Sequence, residues 1–216
     1  MQVPKKEVRR ILMKKAMTIV YKVHNNLYVN LTNRCSCSCV FCLRQNRDHM
    51  EESDSLWLDH EPTLQEVKDA FAKEDMSQYE EVVFCGFGEP TERMDLLLEV
   101  AAFVKENYQK PIRINTNGQA NLINGRDVAP ELKGLVDTIS ISLNTPNEEK
   151  YNEMVRSIYG DKAYGAMLDF AREAKKYVPN VVLSTVDTTL SKEEEEQCRQ
   201  ICEKLAVTYR IRPWED

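Results

Sequence analysis

Apolar positions along this chain switch between a period of two and a period near 3.6, and each switch marks an element. Met17 to Val23 and Leu27 to Leu31 are β-rich runs on either side of His24-Asn25-Asn26, the pattern of a hairpin. The segment ahead of it, with Lys5, Lys6, Arg9 and Arg10 between short apolar pieces, reads as an N-terminal amphipathic helix. Thr63-x-x-Glu66 is a capping box, and Leu64, Val67, Ala70 and Phe71 follow at helical spacing. Glu81 to Gly86 is a short apolar run closed by glycine, as expected of a buried strand. Leu97, Leu98, Ala101 and Val104 place a helix over Met94 to Lys105. Further strand-like runs lie at Ile112 to Asn115, Asp137 to Leu143, Val181 to Thr185 and Val207 to Arg212. Helical spacing fills the gaps near Ala129 to Leu135, Glu148 to Arg156, Ala163 to Val178 and Ser191 to Leu205.

Strands that alternate with helices imply right-handed parallel crossovers and an α/β fold. Six such units make either an incomplete TIM-type barrel or an open doubly wound sheet, and patterning alone leaves both standing. The 216 residues, 42 % of them apolar, suit one core, and no repeat or low-complexity linker divides them, so a single domain over 1–216 is expected. No apolar run approaches the roughly 20 residues that span a bilayer, and the N-terminus lacks a signal-peptide core. The expectation is a cytoplasmic protein without a membrane partner. Seven cysteines, an odd number in a chain of this size, argue for a reducing compartment over a disulfide framework.

Charge changes the picture in one place. The net charge is −6, which argues against general nucleic-acid binding, yet residues 1–50 carry ten Lys/Arg against two Asp/Glu. This basic quarter surrounds a cysteine-rich loop. Lys5 to Lys15, Arg44 and Arg47 could steer an acidic electron donor or an anionic substrate there, or could simply be a solvated helix and scattered loop charges.

Within that loop Cys35, Cys39 and Cys42 are spaced C-x3-C-x2-C directly after the second strand-like run. Thiolates this close can share a cubane iron–sulfur cluster, but three of them leave one of four irons open for chemistry. A zinc site recruiting Cys37 is the plainer alternative, although the paired spacing and downstream histidines of zinc sites are missing. Cys37 could face either way on an extended loop and stays unassigned. Cys198 and Cys202 share an apolar helical face with Ile201 and Leu205 and are expected in the core.

Each strand-like run also ends in polar residues, as it should where barrel loops converge on one mouth. They are Asn33-Arg34 with the cysteine loop, Gly86-Phe87-Gly88-Glu89-Pro90, Asn115-Thr116-Asn117-Gly118, Ser142-Leu143-Asn144, Ser184 with Asp187, and Arg210 with Arg212. Glycine permits close backbone approach to a ligand, and Glu89 places an acceptor where an ammonium group could sit. The Arg-Ile-Arg alternation could turn only one guanidinium inward. His24, His49 and His60 fall at no strand end.

The stretch from Asn30 to Cys42 resembles the cluster loop of the radical S-adenosylmethionine superfamily, and Gly86 to Pro90 is similar to its Gly-Gly-Glu-Pro motif with Phe87 in a glycine position. The resemblance implies a partial (β/α)6 barrel over about residues 25–213, a [4Fe-4S] cluster on Cys35, Cys39 and Cys42, and S-adenosylmethionine as second cofactor. It also implies cofactor contacts from Gly88 and Glu89 to the methionine amino group, from Phe41 beside the adenine, and from Ser142 and Asn144 to the ribose. Asn115 and Asn117 would reach the cofactor carboxylate or the substrate. Reductive cleavage of the cofactor would produce a 5′-deoxyadenosyl radical that abstracts hydrogen from an unidentified substrate, with electrons from a donor such as flavodoxin or ferredoxin. Together with Asn121 to Arg126 and Ser140 to Asn144, these motifs look most like the small radical enzymes associated with TatD-type hydrolases. Glycyl-radical activating enzymes and 7-carboxy-7-deazaguanine synthases are alternatives of the same class, and a non-catalytic iron–sulfur or zinc module is one of another.

Overall fold

A computed structural model describes residues 15–213. The expected N-terminal helix, with Lys5, Lys6, Arg9 and Arg10, lies outside them. The described chain forms one seven-stranded sheet in the order β1 (Val20–Val23), β2 (Asn26–Val29), β3 (Glu81–Phe84), β4 (Ile112–Thr116), β5 (Thr138–Ser142), β6 (Asn180–Val186) and β7 (Thr208–Arg212). Only β1 and β2 pair antiparallel, as the predicted hairpin, and every other neighbour is parallel. His24 turns the hairpin at φ 53°, which leaves Asn26 free to begin β2. With sequential strand order and no closing pair among the described residues, the sheet is the partial TIM-type barrel and not a doubly wound sheet.

The crossover helices are α1 (Leu64–Phe71), α2 (Met94–Tyr108), α3 (Ala120–Asn124), α4 (Glu148–Val155), α5 (Lys162–Ala174) and α6 (Lys192–Leu205). Thr63-Glu66 and Ser191-Glu194 form reciprocal capping boxes on α1 and α6. Two expectations shift. The helix foreseen near Ala129 is a short 3-10 turn, Ala129–Leu132, which stops at Lys133 with ψ 123° ahead of Gly134 at φ 76°. The crossover helix is instead α3, ended by Gly125 at φ 64°.

Register separates the two faces of the sheet. Leu27, Val29, Val82, Phe84, Ile112, Ile114, Ile139, Ile141, Val181 and Leu183 share one face and are buried with the helices in one core. Tyr28, Val83, Arg113, Asn115, Ser140, Ser142, Ser184, Arg210 and Arg212 occupy the other, concave face. Parallel strands covered on both faces read as continuous apolar runs, so this alternation marks an interior built for something polar. A small second core of Tyr21, Val23, Leu56 and Phe87 covers the β1–β2 end of that face. Among the described residues no helix is long and apolar enough to cross a membrane.

Candidate functional site

The cysteine loop leaves β2 at the mouth of the concave face, and two other segments and its own Arg44 hold it. Asn33 pins it to the 56–58 segment through paired bonds, Nδ2 to the Leu58 carbonyl at 2.8 Å and Oδ1 from the Leu58 N–H at 3.0 Å. The end of α4 and the link after it latch onto it by backbone bonds from Ser38 to Val155 (3.1 Å), Val40 to Met154 (2.9 Å) and Ile158 to Ser36 (2.9 Å). The Arg44 guanidinium donates to the carbonyls of Asn33 (3.4 Å), Phe87 (3.2 Å) and Cys37 (3.3 Å). Arg44 is thus a clamp inside the loop, a role that composition could not distinguish from a steering charge. Arg34, at the strand end, turns outward to Glu61 at 2.6 Å.

Cys35, Cys39 and Cys42 are half-buried free thiols, whereas Cys37 is 3 % exposed. Among the described residues no three His, Cys, Asp or Glu side chains crowd around one point as the ligands of a single ion do. The Cys37 sulfur accepts from Gln119 Nε2 (3.3 Å) and Asn117 Nδ2 (3.4 Å). Its bond with Cys35 pulls its pKa down, but the Cys39 thiol and burial outweigh that and push it up to about 12. The Cys37 N–H points at Cys35 Sγ, 3.4 Å away. The Cys35 thiol is pushed well up, first by its bond with Cys37 and then by burial. This donor set fits an iron–sulfur cluster: three accessible thiols share one braced loop, and a backbone donor already faces the sulfur that would carry negative charge as a ligand. The intervening Cys37 is held by other parts of the fold.

The loop after β3 lies against the cysteine loop. A Cβ on Gly88 would stand 2.2 Å from the Thr32 carbonyl oxygen and 2.6 Å from that of Arg34, and Glu89 N donates to the Arg34 carbonyl at 2.8 Å. The close approach that requires glycine is to the chain's own backbone. Glu89 is 4 % exposed, and its carboxylate accepts from Thr91 N (3.1 Å), Thr91 Oγ1 (2.8 Å), Thr116 Oγ1 (2.7 Å) and Asn117 N (2.8 Å). Three of those donors meet Oε1 and one, Asn117 N, meets Oε2, which keeps a further acceptor position. Burial raises the Glu89 pKa against their pull. Phe87 packs edge-on against Trp57, ring centroids 5.3 Å apart.

The other expected contacts divide by strand end. Asn117 braces the cysteine loop, donating to Ser36 Oγ at 3.0 Å and accepting from Gln119 N at 2.9 Å. Asn115 lies on the concave face beside Arg113 (3.5 Å). Ser142 pairs with Ser184 on that face, and Asn144 follows at φ 64°, with its N–H on the Ser184 carbonyl. Phe41 is half-buried within the cysteine loop. Asp187 is exposed and accepts from Thr188 N. Arg210 and Arg212 share the concave face, because residues two apart on a strand cannot face opposite ways. Cys198 and Cys202 are buried against the helices, as expected.

Gln119 was not foreseen. Fully buried, it accepts from Ser36 Oγ (3.2 Å) and Ser157 Oγ (2.7 Å), and its Nε2 also faces the Tyr151 hydroxyl (3.3 Å). It joins the cysteine loop, β4 and the α4–α5 link into one hub. Nothing in a lone glutamine after Asn117-Gly118 signals this.

Comparison with known families matches residues 29–205 to the Radical SAM superfamily. Among curated proteins the chain is 29 % identical over 164 residues to molybdenum cofactor biosynthesis protein moc-5 of Caenorhabditis elegans, covering 76 % of this chain and 25 % of that one. It is 28 % identical over 160 residues to a probable GTP 3′,8-cyclase of Thermococcus kodakarensis, covering 74 % and 46 %. The chain therefore spans between a quarter and a half of these relatives. Among solved structures, Streptococcus suis SuiB bound to S-adenosylmethionine superposes with TM-score 0.65 at 16 % identity, over 89 % of this chain and 41 % of that one. A radical SAM methyltransferase from Sphaerobacter thermophilus gives 0.61 at 15 %, over 91 % and 69 %. At these identities the likeness is one of fold.

Proposed function

The chain belongs to the radical S-adenosylmethionine superfamily, whose members use a [4Fe-4S] cluster and S-adenosylmethionine, and from that premise we propose that it binds the cluster through Cys35, Cys39 and Cys42 and cleaves the cofactor reductively to begin hydrogen abstraction from a substrate. The observation that carries this reading is the cysteine loop itself, three accessible thiols braced at the carboxyl ends of parallel strands.

Bound at these residues, the cluster and S-adenosylmethionine would supply one-electron reductive cleavage of the sulfonium. The chain positions and shields. Arg44, Asn117 and Gln119 keep the loop in one shape, so the three sulfurs keep their spacing when loaded. Glu89 ties the ends of β3 and β4 together, and its Oε2, which takes one donor only, keeps an acceptor for the ammonium of the cofactor beside the main-chain carbonyls of the 86–89 loop. Ser142 and Asn144 offer hydroxyl and amide groups for a ribose diol, and Phe41 an apolar surface for the adenine. No side chain is required as a strong base. That agrees with His24, His49 and His60, whose rings pair with Glu51, Asp48 and Glu66.

An acidic one-electron donor of flavodoxin or ferredoxin type fits the basic N-terminal quarter, and association with a TatD-type hydrolase belongs to the same reading. Likeness to a GTP 3′,8-cyclase keeps a cyclase-like reaction open alongside activase and synthase chemistry. The test is anaerobic reconstitution, dithionite reduction and assay for 5′-deoxyadenosine. Release that disappears when any of Cys35, Cys39 and Cys42 is replaced by Ala supports the reading. A cluster-loaded protein that never cleaves the cofactor would make this a passive iron–sulfur module.

A further inference from the structure

The proposal below rests on the reading just given and adds the chemistry of the substrate. The strand residues of the concave face contribute three guanidiniums, Arg113, Arg210 and Arg212, against one carboxylate, Glu81. Arg113 is held in place, its Nε 2.9 Å from Glu81 Oε2 and its Nη1 3.5 Å from Asn115 Oδ1. On β7, Arg210 stands opposite Ser184 and Arg212 opposite Val186, with Ser142 on the strand beyond. The neighbouring positions of that face on β6, Val182, Ser184 and Val186, carry no charge.

Cys85, directly after β3, gives its carbonyl to the Tyr21 hydroxyl at 3.1 Å. Burial pushes its thiol up, while the Asn115 hydrogen bond and then the charges of Arg212 and Arg113 pull it back. Register places Arg113 on β4 and Arg210 and Arg212 on β7 on one face of the sheet, with only uncharged β5 and β6 positions between them. A cation on an interior sheet face is costly to desolvate, and guanidinium is the side chain suited to bidentate contact with carboxylate or phosphate. We propose that this face binds an oxyanion of the substrate, a carboxylate or a phosphate, between Arg210 and Arg212 of β7 and Arg113 of β4. The anion then lies within the barrel on the same face as Ser142, which places the rest of the substrate at the mouth where the cofactor sits.

The test uses the cluster-loaded full chain and inorganic pyrophosphate as probe, titrated by calorimetry at fixed low salt. Wild type should bind saturably, and Arg210→Gln and Arg212→Gln should each weaken binding about tenfold, the loss of one charge-assisted contact. Arg212→Lys should recover part of that loss. Lys133→Gln, an exposed charge elsewhere, should change nothing. In parallel, the change in the reduced cluster's electron paramagnetic resonance spectrum on adding S-adenosylmethionine should persist in both arginine variants. Wild type without saturable binding overturns the proposal, as do variants that bind pyrophosphate as wild type does. Variants that lose only the S-adenosylmethionine response also overturn it, because the guanidiniums would then serve the cofactor's own carboxylate. The titration needs no cofactor cleavage, so absence of 5′-deoxyadenosine would count against the preceding reading alone.

Discussion

Gly88→Ala should unseat the cysteine loop without touching a cysteine. The added methyl would lie 2.2 Å from the Thr32 carbonyl oxygen and 2.6 Å from that of Arg34, where ordinary contact begins near 3.4 Å, so the two loops must part by roughly 1 Å. Both obstacles are backbone, and no rotamer change relieves them. Overpacking of this kind costs about 1–3 kcal/mol. Parting the loops also stretches the 2.8 Å bond from Glu89 N to the Arg34 carbonyl, worth about 1 kcal/mol more. In a chain of this size each kcal/mol shifts Tm by roughly 2–4 °C, so the expected fall is about 4–16 °C. The assay is thermal unfolding of the metal-free chain by circular dichroism. Gly165→Ala serves as the opposite control: it lies inside α5 with nothing within 4 Å of a new Cβ, and should raise Tm by about 1–4 °C. A Gly88→Ala chain that melts within about 2 °C of wild type would refute the claim that these loops touch through their backbones.

Three further outcomes follow from the same geometry. Replacing Arg44 by Lys keeps the charge but not the fork that reaches the Asn33, Cys37 and Phe87 carbonyls, so iron and sulfide per chain after reconstitution should drop by more than half; full loading would remove the clamp role. Ala at Cys35, Cys39 or Cys42 should abolish the cubane spectrum, whereas Cys198→Ala and Cys202→Ala should leave iron content at the wild-type value, because both thiols are buried on the helix side of the sheet. The Glu66 carboxyl is held at about 2, first by the Thr63 backbone N–H and next by His60. A depressed value means that the capping box contributes fully above the ordinary 4.5 and is lost as pH falls toward 2. A carbon-detected titration of Glu66 with its midpoint near 4 would contradict that.

The parts legible in the sequence were those that rest on local periodicity and spacing. The hairpin, the two capping boxes, the five parallel strands after it and the apolar Cys198-Cys202 face all follow from which residues alternate or recur. The α3 crossover was missed because a five-residue helix carries barely one turn of pattern, and Pro130 sits in the stretch that looked helical instead. At the mouth, residue type and strand position brought out Glu89 and Asn117, but not what their side chains do. Both hold the chain to itself, since a buried carboxylate or amide takes whatever donors the fold places nearest. Gln119 and Arg44 act through partners far off in sequence, and spacing is blind to such pairs. The single-face placement of Arg210 and Arg212 needed only the two-residue repeat of a strand, once β7 was known to be one.

The latch from Met154 to Ile158 gives the cysteine loop an unusual order of assembly. Its thiols are translated early, yet the backbone groups that shape the loop leave the ribosome on the order of ten seconds later at ordinary rates of synthesis. During that interval the nascent thiols are tethered to a hairpin but not yet arranged. A metal delivered then would meet a flexible strand of donors, Cys37 among them, and discrimination between the three intended sulfurs and the fourth would begin only when the downstream half of the polypeptide folds back over them.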